Sequence, residues 1–76
     1  MSLSQASAGE SMLVIRVAAD AKTRRHLENL GIMTGAELTP LSFSEGNMIV
    51  RVHDSRIAIN SDVAQNIIVG KRPVIA

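Results

Sequence analysis

The chain has 76 residues, 46% hydrophobic and 20% charged, with no cysteine and a formal net charge of +1. That composition suits one small domain with its own apolar core and excludes a disulfide framework, a thiolate metal site, a thiol nucleophile and a disordered tail. A charge so close to balance, with basic residues scattered among acids, argues against an electrostatic grip on nucleic acid or anionic lipid, and no apolar run approaches the roughly 18 residues of a membrane helix.

Leu3 to Ser11 mixes small and polar residues around Gly9 and reads as an extended arm, anchored by Leu3, that ends in a turn. Met12 to Ala18 alternates, with Leu13, Ile15 and Val17 on one face and Val14 and Arg16 on the other, and is the first predicted strand. Asp20 then offers a capping oxygen to a helix over Ala21 to Leu30, whose Thr23, Leu27 and Leu30 fall on one inward face. Gly31 stands where a left-handed residue ends a helix, and Gly35 repeats that permission four residues later. Between them Ile32-Met33-Thr34 is a short apolar connector, expected either to plug the core or to offer an exposed anchor.

Ala36 to Phe43 is strand-like but changes phase, Leu38 facing one way and Leu41 and Phe43 the other, so a bulge or an edge position at Pro40 is expected. Ser44-Glu45-Gly46-Asn47 is turn chemistry, and Met48 to His53 resumes a strict alternation with Met48, Val50 and Val52 inward. Asp54-Ser55 is the expected hairpin turn into Arg56 to Ile59, where Ile57 and Ile59 continue the buried face. Ser61 or Asp62 should cap a helical turn over Asp62 to Gln65, before a last strand, Ile67 to Val69, and a frayed tail from Gly70. The reading is a single domain over 1–76 with a core of about 3–69: five short strands, one helix after the first and a helical turn before the last, curled into a partial barrel.

These landmarks, in this order, resemble the FeoA family, small cytoplasmic proteins and domains associated with the bacterial ferrous iron transporter FeoB. The resemblance rests on Gly9 before a strand holding Ile15, on Arg24-Arg25 with Leu27, and on Leu30-Gly31-Ile32 with Gly35; Ile57-Ala58-Ile59, Ala64, Ile67 and Val69 complete it. It covers about Leu3 to Val69, and it departs at Thr34, where the family often has proline. The resemblance implies an SH3-like barrel, a fold also found as an appended domain in metal-dependent repressors of the DtxR type. It implies a cytoplasmic protein that works by binding the FeoB transporter rather than by catalysis. Regulation within a metal-dependent transcription regulator system is the alternative, and nucleic-acid binding by a small barrel is a weaker one.

The residues themselves offer little catalysis. His26 and His53 are the two histidines, and neither has a second histidine or a cysteine at ligand spacing, so no metal site, no cofactor and no catalytic residue is expected. Serines lack an evident base and pocket, and the GxxxxGK phosphate loop is absent. Phe43 alone cannot make a stacking platform for nucleic acid. A partner-binding surface is therefore expected at the end of the helix. Met33 and Ile32 would be its anchor, Arg24 and Arg25 would orient docking by charge, and Gly31 and Gly35 would shape the turn. Neither membrane insertion nor more than weak self-association is expected.

Overall fold

A computed structural model describes residues 1–71. A single turn of 3-10 helix at Leu3–Gln5 precedes strand β1 (Met12–Val17), helix α1 (Ala21–Asn29) and strands β2 (Glu37–Ser44), β3 (Asn47–Val52) and β4 (Ser55–Asn60); a helical turn, α2 (Ser61–Ala64), leads into β5 (Ile67–Lys71). The strands form one antiparallel sheet in the order β4-β3-β2-β1-β5. The arrangement is the expected mainly β architecture with a helix inserted after the first strand. Among the described residues no pairing joins β4 to β5, so the curl stops short of a closed barrel.

Two bulges bend the sheet. Strand β2 pairs with β1 at Glu37 and Leu38 and with β3 from Thr39 onward, and its register against β3 then shifts between Pro40 and Ser42. Proline cannot donate to a ladder, and its carbonyl here accepts the Gly9 N–H at 2.7 Å from the turn after the arm. The second bulge was not legible in the alternation. The register of β1 against β5 shifts between Val14 and Arg16, so Met12, Val14 and Val17 are buried while Ile15 and Arg16 are exposed.

The core is built from Leu3, Met12, Val14, Leu27, Ile32, Leu38, Met48, Val50, Val52, Ile59, Ala64, Ile67 and Val69, with smaller contributions around them. Met48, Val50 and Val52 face inward as their alternation requires, and Ile59 continues that face with Ile57 half-buried. Burying side chains of this size stabilises by roughly 1.5–3 kcal/mol each before ordering costs. Leu3 is fully enclosed, and its arm does more than anchor: Ser2 bridges Ile68, and Met1 exchanges two hydrogen bonds with Val69, so residues 1 and 2 cover the outer edge of β5.

Several boundaries differ from the sequence expectation. The β3–β4 loop is His53-Asp54 rather than Asp54-Ser55, with His53 at a φ of 55°. Asn60, not Ser61 or Asp62, caps α2 by accepting the Asp62 N–H, one residue earlier because Asn60 already ends β4. Gly70 and Lys71 are not frayed but pair with Leu13 and Met12; Arg72 and Pro73, placed in the same tail, lie outside the described residues. Leu30 is not part of an inward stripe. Its N–H bonds to the Leu27 carbonyl three residues back, which tightens the last turn and leaves the side chain exposed, while Leu27 is buried and Thr23 half-buried.

Candidate functional site

Helix α1 begins at Asp20, whose carboxylate accepts the Thr23 N–H at 2.7 Å. The nearby Thr23 hydroxyl and the Thr23 N–H together hold the Asp20 carboxyl below its ordinary value against a small opposing effect of burial, with Lys22 adding to the lowering. The helix ends at Gly31, which has a φ of 93° and donates its N–H to the Glu28 carbonyl at 2.9 Å. A Cβ there would sit 3.3 Å from Val52 Cγ1 and 3.5 Å from His53 Cδ2, so a glycine lets the helix end close against the β3–β4 turn.

The Ile32 N–H donates back to the Leu27 carbonyl at 2.8 Å, and this turns the Ile32 side chain under the helix into full burial. Ile32 is therefore a core residue and not a partner anchor. Beyond it the chain emerges. Gly35, at a φ of 91°, donates to the Val14 carbonyl, the Val14 N–H returns to Ala36, and the Ala36 N–H closes on the Met33 carbonyl. A connector tied at both ends in this way holds Met33 out at 43% exposure on a fixed backbone.

Met33 shares a shallow hollow of about 200 Å³ with Arg16, Val17, Arg24, Glu28 and Thr34. Arg24 thus stands beside Met33 as the sequence suggested, whereas Arg25 lies on another side of α1, over Ala21, Lys22, His26 and Asn29. Successive helical residues are about 100° apart, and that separates the two arginines. Arg16 joins the hollow instead, a placement that the bulge in β1 produces and that strand alternation did not show. The hollow therefore combines an apolar anchor with two guanidiniums and one carboxylate. Among the described residues no three of His, Cys, Asp and Glu are grouped so as to hold a metal ion.

The five-stranded sheet, a four-strand meander with β5 returned beside β1, defines with its inserted helix and helical turn an SH3-like fold, which larger chains share: ScaR with bound zinc superposes with a TM-score of 0.84 at 22% identity, over 95% of this chain and 37% of that one, and the manganese regulator SloR with 0.81 at 20% identity, over 93% and 34%. The chain belongs to the FeoA domain family, whose model matches residues 1–71. The solution structure of FeoA from Chlorobium tepidum superposes with a TM-score of 0.85 at 32% identity, over 91% of this chain and 68% of that one. A crystal structure of an iron uptake regulatory protein, FeoA, gives 0.80 at 28% identity over 90% of each chain. No curated protein matches by sequence.

Proposed function

We propose that this protein is a non-catalytic accessory component of bacterial ferrous iron uptake, acting in the cytoplasm by docking on the FeoB transporter. Membership of the FeoA domain family supports the link to iron transport. The observation that carries the docking mode is the hollow at the end of α1, where an exposed thioether on a pinned connector lies between Arg16 and Arg24. A flexible apolar anchor inside a charged rim is how compact interfaces combine affinity with orientation. No helix among the described residues is long and apolar enough to cross a membrane.

The experiment is co-purification with the FeoB encoded in the same genome. Met33→Asp should melt close to the parent and lose association, because Met33 is 43% exposed at the surface of the hollow. Arg24→Glu should weaken association more at low salt than at high salt, and more than Arg25→Glu, which lies off the hollow. Undiminished association of folded Met33→Asp and Arg24→Glu proteins would move the interface elsewhere. The likeness to metal-dependent regulators, at 22% identity, carries fold alone, so the regulator-module reading gains no observation of its own.

A further inference from the structure

The sheet has two outer edges, and they are treated differently. Residues 1 and 2 cover β5. Among the described residues strand β4 pairs with β3 alone. In a two-residue hairpin the closing pair, here Val52 and Ser55, carries ladder bonds, so Val50 with Ile57 and Met48 with Ile59 carry them too. The backbone N–H and C=O groups of Arg56 and Ala58 consequently turn to the free side, and among the described residues they have no backbone partner there. Such an edge is a template for another strand.

The side chains on this edge say which strand. Arg51 and Arg56 are directly opposite each other across β3 and β4, both exposed, and like charges so placed are destabilising. Glu37 is the acid in the hollow beside Arg51, with His53, Ser11 and Thr39, while Arg56 stands at the open edge. Beside the same edge, Leu27 of α1, Leu30 at its C-terminal cap, Ile59 and Val63 line a slot of about 180 Å³ whose rim carries Thr23 and His26. That is smaller than the roughly 300–1,000 Å³ of a small-molecule site and suits a side chain.

We propose that the free edge of β4 takes up an extended acidic segment of another protein, a carboxylate of which lies against the Arg51 and Arg56 guanidiniums while the adjacent apolar residue enters the slot beside α1. The alternation of a strand makes the two requirements one: a residue opposite Arg56 projects on the outer face, and its neighbour projects inward. Backbone bonds to Arg56 and Ala58 supply affinity, and the arginine pair supplies selectivity. A second copy of this chain is a poorer occupant, because it would bring its own Arg51 and Arg56 against a like-charged pair. This surface is separate from the Met33 hollow and does not depend on the transporter reading.

Fluorescence anisotropy with a labelled heptapeptide of alternating glutamate and valine tests it. Saturable binding at low salt is expected, and Arg56→Glu should weaken it by about tenfold or more. Arg51→Gln removes one guanidinium of the pair without setting a second carboxylate beside Glu37, and it should weaken the peptide. Ala58→Pro removes an outward N–H, leaves the β3 ladder intact and should abolish binding. Should that variant fail to fold, a backbone N-methylated peptide makes the same test from the ligand side and should not bind. Absence of binding at about 1 mM, equal binding of a lysine-valine or N-methylated peptide, tighter binding of a single-stranded oligonucleotide, or a β4-paired dimer in ultracentrifugation overturns the proposal.

Discussion

Replacing Gly31 by alanine probes how the helix is closed. Its φ of 93° lies where an L side chain costs roughly 1–2 kcal/mol. The added Cβ would also stand 3.3 Å from Val52 Cγ1, and Val52 is buried, so the neighbour has little room to give; overpacking of this kind adds about another 1 kcal/mol. Alanine also lowers the entropy of the unfolded chain, which returns about 0.4–1 kcal/mol. The net loss is about 1–2.5 kcal/mol, and in a domain of this size each kcal/mol moves the melting temperature by roughly 4–8 °C. Gly35 provides the internal control. Its φ of 91° is almost the same, but nothing lies within 4 Å of an added Cβ, so Gly35→Ala carries the backbone cost alone. Thermal melts followed by circular dichroism should therefore rank parent above Gly35→Ala above Gly31→Ala, with Gly31→Asn between Gly31→Ala and the parent because asparagine tolerates the left-handed region. A Gly31→Ala protein as stable as Gly35→Ala would refute close packing of the helix end on the β3–β4 hairpin.

Three further outcomes are expected. Leu27→Asp should not fold, because an unpaired charge at a buried position costs several kcal/mol and small domains have little more than that to lose; a parent-like melt would mean that α1 does not dock. Asp20→Ala should lower the melting temperature at neutral pH. Since the folded Asp20 pKa lies below its unfolded value, the capping contribution is present above the unfolded pKa and fades as pH falls through the folded one; the gap between parent and variant should thus narrow as the melts are taken further into acid, and a constant gap would contradict the capping bonds as its source. Anaerobic calorimetry should find no tight ferrous iron site in the isolated protein, and a stoichiometric site lost in His26→Ala or His53→Ala would overturn the expectation that neither histidine builds a metal site.

The local signals in the chain were sufficient for the elements. Asp20 caps α1, Gly31 ends it, Pro40 marks a bulge, and the Met48, Val50, Val52 alternation names a core face, because each of these is decided by the backbone preferences and side chains of a few neighbouring residues. What partners decide was not legible. The bulge between Val14 and Arg16 arises where β1 meets β5, far along the chain, and it reverses which side chains of β1 are buried. Ile32 and Met33 are adjacent and equally apolar, yet the bond from Ile32 back to Leu27 drives one inward, and the ties of Gly35 and Ala36 to Val14 hold the other out. Placing the β3–β4 turn one residue earlier than the Asp-Ser signal suggests is also what sets Arg51 opposite Arg56. Periodicity assigns residues to faces, but which face is covered, and what lies across from each charge, depends on strands brought together only when the sheet curls.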